Sequence, residues 1–454
     1  MRRQFALMTT LFLTGSAVAG AQSWELRVSE NKRFLTKANG IPFFWLGDTA
    51  WELFHRLNRE DTERYLENRR QKGFNVIQAV ALAELDGLNT PNRYGEKPLL
   101  GNDPAKPNPK YFEHVDWVVN RAREKGLYIG LLPTWGRYVV KGSWEKTSEV
   151  IFNPQNARAY GRWIGARYKD TPNLVWILGG DRNPEGVVEV WRAMAEGIRE
   201  GDGGKHLITF HPNGRGSSAT LLHQEPWLDF NMIQSGHSAK NFANYDMIAR
   251  DYGKTPLKPV LDGEPRYEDH PVNWKPQEQG WFDEVDVRQA AYWAVFAGAF
   301  GHTYGCHPIW QMASSDREKI GLARHNWTEV LDLPGAAQMQ HLKTVIESRD
   351  FLSRVPDPNL LVNNPPEGPD HALAARGDGY IMVYSPSGKP VEVRPRGYRR
   401  GGAVRMWYVR WFNPRTGEWV EAKSMEAKEG LTLTPPGTPG RGNDWVAVLD
   451  AMSR

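Results

Sequence analysis

Two apolar segments of this sequence each lead directly into a carboxylate. The segment "NLVWILGGDRNP" (173–184) passes from a strand-like apolar stretch through two glycines to Asp181, and "PVLDGEPRYED" (259–269) reaches Glu264 in a similar way. Two carboxyl groups facing one another across a cleft can cleave a glycosidic bond, with one group protonated as an acid and the other ionised. The two residues are far apart in the chain, so the fold must bring them together.

The elements that would hold these carboxylates are eight short apolar runs separated, in most cases, by amphipathic helical patterns. Only the fifth interval, around "SSATLLHQ", has a weak pattern. Eight buried strands, each followed by a helix within about 300 residues, predict an α/β fold of the (β/α)8 TIM-barrel type. A doubly wound sheet would instead need a glycine-rich turn after its first strand, and "GDTAW" is not one. The eight runs span residues 43–48, 74–84, 127–136, 173–181, 206–214, 230–238, 259–265 and 301–310.

The C-terminal ends of these runs all carry polar or aromatic residues. Active sites of such barrels lie at this rim, so we predict that Asp181 and Glu264 are catalytic and that the other rim residues bind substrate. Burial at the rim would raise the pKa of Asp181 and keep it protonated, as a general acid requires. The predicted substrate-binding residues are Asp48, Trp51, Glu84, Trp135, Arg182, His211, His237, Tyr267, His307 and Trp310.

Each of these residues also has an ordinary structural interpretation. Asp181 could cap a helix, Glu264 could be a solvated loop residue, and Asp48 could begin a helix. Several of the tryptophans could belong to the core. His211, His237 and His307 could form a metal cluster, but they lack the spacing of a metal site, so no metal or cofactor is predicted. Packing alone would not put a polar or aromatic group at all eight strand ends.

Composition excludes several other classes of protein. The 57 basic and 53 acidic residues leave a net charge of +4 without a basic block, so no nucleic-acid partner is indicated. Cys306 is the only cysteine, which rules out an intramolecular disulfide and cysteine-rich zinc sites. Residues 1–21 resemble a secretory signal peptide, and no other segment is long and apolar enough to span a membrane. We therefore expect export to a periplasm or the cell exterior, and the oligomeric state stays open.

The pattern changes after the predicted barrel, which would occupy residues 22–350. From 351 to 454 the segments are short and alternating, as in "YIMVYSP" and "LTLTPP", and "NPRTGEW" is typical of a hairpin turn. These features predict a C-terminal antiparallel β-sandwich domain.

Six long motifs together resemble glycoside hydrolase family 140, whose characterised activity is apiosidase. The resemblance implies a (β/α)8 domain followed by a small β-domain that carries a collagen-binding label. It also implies that Asp181 of "GGD" and Glu264 of "DGEPRYE" are the catalytic pair. The motifs are "FFWLGDTAWELFHRL", "GFNVIQAVALAELDG", "NLVWILGGDRNP", "DFNMIQSGHS", "PVLDGEPRYEDHP" and "DVRQAAYWAVFAGAFGHTYGCHPIWQM".

The family resemblance implies that the protein releases terminal β-linked apiofuranose from plant rhamnogalacturonan II or from apiosylated plant glycosides. The barrel also resembles a large clan of retaining glycosidases in which the acid/base follows strand four and the nucleophile strand seven, here Asp181 and Glu264. A retaining enzyme has its carboxyls about 5 to 5.5 Å apart and an inverting one about 6.5 to 9.5 Å, a distance that sequence does not define.

Three alternatives remain open. The same chemistry could act on another furanoside or pectic linkage, since every motif would be shared. A secreted carbohydrate-binding protein without catalysis is disfavoured because both carboxylates are present. A metal-dependent hydrolase would lose activity when treated with a chelator.

Overall fold

The computed structural model describes residues 23–142, 149–395, 404, 406–427 and 430–452. The predicted signal peptide, residues 1–21, lies outside this part of the chain. The strands are β1 (Leu26–Val28), β2 (Leu35–Lys37), β3 (Pro42–Phe43), β4 (Trp45–Thr49), β5 (Val76–Val80), β6 (Tyr128–Leu132), β7 (Leu174–Gly179), β8 (Ile208–His211), β9 (Asn231–Ile233), β10 (Val260–Asp262), β11 (Gly301–Tyr304), β12 (Val355–Pro356), β13 (Leu361–Val362), β14 (Leu373–Gly377), β15 (Tyr380–Ser385), β16 (Val391–Val393), β17 (Met406–Phe412), β18 (Trp419–Glu426), β19 (Leu431–Leu433) and β20 (Trp445–Met452). The α-helices are α1 (Leu53–Arg56), α2 (Arg59–Gln71), α3 (Pro109–Glu124), α4 (Pro154–Tyr168), α5 (Val188–Asp202), α6 (Asn244–Tyr252), α7 (Pro276–Gln279), α8 (Glu284–Phe296), α9 (His307–Trp310) and α10 (Pro334–Glu347).

Strands β4 to β11 form an eight-stranded parallel sheet, ordered β8-β7-β6-β5-β4-β11-β10-β9. Each of the eight predicted apolar runs coincides with one of these strands, although β4 extends one residue beyond its run, and every strand residue is buried. The sheet curls so that its edge strands meet. There, the Asp229 amide donates to the Ile208 carbonyl at 2.9 Å, and Thr209 Oγ1 donates to the Phe230 carbonyl at 2.7 Å. The predicted (β/α)8 barrel is confirmed, and it directs the ends of β7 and β10 to the same rim.

Helix caps define where several surrounding helices begin. Asn153 and Asp283 form capping boxes at the starts of α4 and α8, and Asn58 caps α2. The weak fifth interval contains only a short 3₁₀ turn, Ser218–Thr220. None of the helices in the described part of the chain is long and apolar enough to cross a membrane.

The C-terminal segment forms the predicted antiparallel β-sandwich, with a six-stranded sheet (β12-β14-β15-β20-β17-β18) facing a three-stranded sheet (β13-β16-β19). Alternation along β15 shows how the larger sheet is covered. Ile381 and Val383 join the core between the two sheets, whereas Met382 and Tyr384 join the core shared with the barrel. Because successive side chains of a strand point to opposite faces, the larger sheet is buried on both sides. The side chains on the barrel-facing side of this sheet belong to the same hydrophobic core as the barrel.

A buried ion pair joins the two domains. Arg288 of α8 donates to both carboxylate oxygens of Asp444, at 2.8 and 2.7 Å, and the two side chains are 1% and 2% exposed. Tyr384 also donates to Asp444, at 3.2 Å. Removing one partner of such a pair leaves an uncompensated charge in a dry interface.

We predict that Asp444→Ala lowers the free energy of unfolding by about 3 to 5 kcal/mol, because Arg288 keeps its buried charge without a partner. Urea denaturation followed by tryptophan fluorescence would measure the loss. The control is Asp170→Ala, which removes an exposed ion pair with Lys205 and should change stability little. Equal effects of the two substitutions would contradict a stabilising role for the domain interface.

Candidate active site

The backbone after β7 makes a turn that only glycine permits at two positions. Gly179, Gly180 and Asp181 all have positive φ, at 89°, 114° and 54°. A Cβ at Gly179 would collide with the His211 carbonyl oxygen, and one at Gly180 would lie 2.6 Å from the Trp135 ring. The two glycines therefore let the strand turn against its neighbours and direct Asp181 into the cleft.

Asp181 is a carboxyl group poised to hold a proton. Its Oδ1 is buried and has no hydrogen-bond partner among the described residues. Burial, followed by the negative charge of Glu264, raises its pKa to about 6. An acid with this pKa can protonate a leaving group in mildly acidic solution.

Glu264 follows β10 and has the opposite electrostatic environment. Its Oε1 lies 3.0 Å from Nε2 of His237, and its Oε2 lies 2.9 Å from Nε2 of His211. Burial opposes ionisation of Glu264, but the contacts with the two histidines outweigh it and lower its pKa to about 2. Between about pH 2 and pH 6, Glu264 is therefore a carboxylate while Asp181 holds its proton.

His211 connects the two carboxyl groups. While its Nε2 contacts Glu264, its Nδ1 lies 3.5 Å from the backbone nitrogen of Asp181. One oxygen of Asp181, one oxygen of Glu264 and one nitrogen of His211 all lie within 4.8 Å of each other. This places the carboxyls close together at one end of the barrel.

The carboxyls lie in a cleft of about 680 Å³. It contains most of the residues predicted from the strand ends. Trp51 and Trp135 pack at 5.2 Å between ring centroids, and Trp51 also packs edge-on against His211, which is fully buried and does not line the cleft. The predicted residues that line the cleft are Trp51, Glu84, Trp135, Asp181, Arg182, His237, Glu264, Tyr267 and Trp310.

Asp48 and His307 lie outside this lining. Asp48 is fully buried and accepts hydrogen bonds from Arg69 Nε, at 2.6 Å, and from the Tyr65 hydroxyl. His307 is also fully buried, with Nε2 2.8 Å from the Gly321 carbonyl and Nδ1 accepting from Trp310 Nε1 at 3.1 Å. Oδ2 of Asp48 and both ring nitrogens of His307 have partners within the protein, so the structure assigns Asp48 to the barrel wall and His307 to the support of Trp310. Neither has the position expected of a substrate-binding residue.

Some cleft residues were missed from the sequence. Arg215, Gln234, His270, Asn273 and Trp274 also line the cleft. Gln234 lies within "DFNMIQSGHS" and His270 within "PVLDGEPRYEDHP", so the two motifs already marked both positions in the sequence. Trp274 ends a short 3₁₀ turn, Val272–Trp274, after the seventh barrel strand, where no periodic pattern marks it.

A divalent cation would find three ligand atoms at Asp181, His211 and Glu264, whose mutual distances fit such a site. His307 takes no part, so the three histidines considered from sequence do not form one cluster.

Glu84, at the end of the second barrel strand, is a third carboxyl group in the cleft. Burial is the main reason that its pKa is raised to about 8. The negative charges of Asp181, Glu52 and Glu264 raise the pKa further, and the positive charge of Arg182 lowers it. At neutral pH this group therefore carries a proton and can donate a hydrogen bond.

The pKa values of the pair predict an acidic pH profile. Glu264 is ionised above about pH 2 and Asp181 is protonated below about pH 6, so kcat/KM should be highest between these values. Activity should fall about tenfold per pH unit above 6 as Asp181 loses its proton. A pH–rate profile measures this directly. Activity that stays constant up to pH 8 would contradict the assignment of Asp181 as the acid.

The protonated state of Glu84 can be tested by Glu84→Gln, which resembles the neutral carboxyl in shape. If Glu84 is already neutral, this variant should leave the alkaline limb of the pH–rate profile near pH 6. Glu84→Ala, which removes the hydrogen-bonding group, should lower kcat/KM by up to about tenfold. A downward shift of the limb by a full unit in Glu84→Gln would mean that Glu84 is charged.

Comparison with known proteins gives two family matches. Residues 29–353 match a model described as "Apiosidase-like, catalytic domain", and residues 355–450 match one described as "Putative collagen-binding domain of a collagenase". Among curated proteins, none matches the chain.

The chain is also similar to solved structures, including two that match it over nearly its full length. One, titled "Glycoside hydrolase", is 35% identical with a TM-score of 0.86, and the match covers 95% of this chain and 98% of the other. The second, a glycoside hydrolase family 5 protein from Bacteroides vulgatus ATCC 8482, is also 35% identical with a TM-score of 0.86 and covers 94% of both chains. The similarity therefore includes both domains.

Proposed function

The chain belongs to the apiosidase-like family and is a glycoside hydrolase, and on this premise we propose that it is an exo-acting apiosidase. Its substrate would be a terminal β-linked apiofuranose on plant rhamnogalacturonan II or on an apiosylated plant glycoside. The observation that carries the proposal is the buried pair of Asp181 and Glu264, whose pKa values are moved in opposite directions within one cleft. Such a pair supplies a proton donor and an anion at the same pH.

We propose a retaining mechanism for this pair. Glu264 attacks the anomeric carbon while Asp181 donates its proton to the leaving oxygen, so a carbon–oxygen bond to the enzyme forms as the glycosidic bond breaks. Asp181, now ionised, then takes a proton from water as that water attacks the anomeric carbon and releases Glu264. The approach of the two carboxyls, with one oxygen of each within 4.8 Å, supports this arrangement over one that holds a water between them.

His211 and His237 would serve this mechanism by orienting Glu264 and keeping it ionised. Each presents Nε2 to a different carboxylate oxygen, so the carboxylate has two partners that limit its rotation. The tryptophan walls at Trp51 and Trp135 would exclude water from the bond being broken.

We predict that Asp181→Asn and Glu264→Gln each lower kcat by about 10²- to 10⁴-fold, because each variant removes a group that transfers a proton or forms a bond. The measurement is release of free apiose from an apiosylated glycoside and from rhamnogalacturonan II, with an arabinofuranoside as a second substrate. Asp170→Asn, an exposed carboxylate change far from the cleft, is the matched control. Thermal unfolding would verify that each variant is folded.

Further measurements in the same assay separate the alternatives. Near-normal activity in either folded carboxylate variant would refute the assigned pair, and preferential release of arabinose would move the substrate to another furanoside. Activity lost on chelation and restored by a divalent metal would instead favour a metal-dependent hydrolase. Azide should restore activity to Glu264→Ala with an α-azide product, since azide then replaces the nucleophile. Rescue with that product only in Asp181→Ala would reverse the roles.

We also propose that residues 1–21 direct export and are then removed. Plant cell-wall polysaccharides are too large to enter a cell, which supports an enzyme acting outside the cytoplasm. Mass spectrometry of the exported protein should find an N-terminus near residue 22. An intact Met1 in that fraction would contradict the proposal.

A further inference from the structure

Trp274 is the only tryptophan among the described residues that is mostly exposed, with 51% of its surface accessible to solvent. It lines the cleft that holds Asp181 and Glu264. Trp274 and the preceding Asn273 both have positive φ, at 60° and 52°, a conformation that residues other than glycine adopt rarely. An aromatic ring is thus held at the cleft by an unfavourable backbone, which is common at functional sites.

Specific contacts hold this segment in place. The Asn273 amide donates to the His237 carbonyl at 2.9 Å, and the Trp274 amide donates to the Pro271 carbonyl at 3.2 Å. The edge of the Trp274 ring packs so closely on Gly321 that a side chain there would collide with it. The ring is therefore supported on one side by protein, and its exposure is a defined feature of the cleft.

His270 lies next to Trp274 and has one unused nitrogen. Its Nδ1 lies 2.7 Å from the Pro271 carbonyl, and because a carbonyl can only accept, Nδ1 carries the hydrogen. Its Nε2 is buried without a hydrogen-bond partner among the described residues, although His270 is only 1% exposed and lines the cleft. Burial, followed by the charges of His237 and His307, holds the pKa of His270 well below its usual value. The ring is therefore neutral, and Nε2 offers a lone pair.

The two rings lie beside the nucleophile. His270 packs against Trp274 at 4.4 Å and against His237 at 4.3 Å between ring centroids. His237 in turn contacts Glu264 at 3.0 Å. A group bound against both Trp274 and His270 would thus lie one imidazole away from the carboxylate that attacks the sugar.

We propose that Trp274 and His270 form a sugar-recognition position of this cleft, in which Trp274 stacks on the carbon–hydrogen face of a sugar ring and His270 Nε2 accepts a hydrogen bond from a sugar hydroxyl. The inference rests on the proposed glycosidase function and extends it to two residues that determine specificity. Sugars combine an apolar face with hydroxyl donors, and an exposed indole beside a fixed acceptor matches both features.

The test measures binding in a Glu264→Gln background, which prevents turnover. Titration calorimetry with apiose, arabinose, xylose, galactose and galacturonate identifies which sugar binds. Trp274→Ala and His270→Asn should each raise the Kd of that sugar about tenfold. Asparagine keeps a donor near the position of Nδ1 for the Pro271 carbonyl but lacks Nε2, so it removes only the unpartnered acceptor. Leu257→Ala, an exposed apolar residue at 42% that does not line the cleft, is the matched control and should leave the Kd unchanged.

In the catalytically intact protein, the same substitutions should raise KM more than they lower kcat, which a loss of folding would not produce. If His270→Asn does not fold, His270→Gln, which carries an amide to the region of Nε2, should retain binding. The proposal would be overturned if Trp274→Ala and His270→Asn both bind the sugar with a Kd within twofold of that of the Glu264→Gln protein. It would also be overturned if no sugar of the panel binds. If the protein releases no apiose but binds another sugar in a way that depends on Trp274, only the proposed specificity for apiose would be refuted.

Discussion

The contact of Glu264 with two histidines is the interaction on which the site depends. Without His211 and His237, a carboxylate buried beside Asp181 would take up a proton, because burial and a neighbouring like charge both disfavour ionisation. With them, Glu264 stays ionised and its negative charge helps to keep the proton on Asp181. One set of contacts thus determines which carboxyl group holds a proton, which one is ionised, and the range of pH in which both states occur together.

The rest of the barrel keeps these groups at their distances. The histidines and carboxyls come from four different strands, β7 to β10, and only a closed parallel sheet brings the ends of these strands to one rim. The C-terminal domain adds to this rigidity, since its larger sheet shares the barrel core and Arg288 pairs with Asp444 across the interface. It is better described as a structural part of this glycoside hydrolase than as a separate module.

The fold could be predicted from sequence because its signals are local. Eight apolar runs separated by helical patterns correspond to strands β4 to β11, and even the weak pattern near Ser218 reflects the absence of a full helix there. Asp181 and Glu264 could also be identified, because a residue just past a barrel strand must lie at the rim. The rule did not apply to Asp48, because β4 extends to Thr49 and Asp48 lies inside the strand, where its side chain pairs with Arg69. Whether a strand-end side chain faces the cleft depends on a partner elsewhere in the chain.

The sequence by itself determined the barrel, the β-sandwich and the carboxylate pair, since periodicity and the position of a residue along a strand are properties of the chain alone. Only the tertiary structure decided how close the carboxyls approach, which of them holds the proton, and that His307 supports Trp310 while His270 and Trp274 face the cleft. These outcomes depend on burial and on distances between residues far apart in sequence. Such quantities exist only once the strands have closed into a barrel.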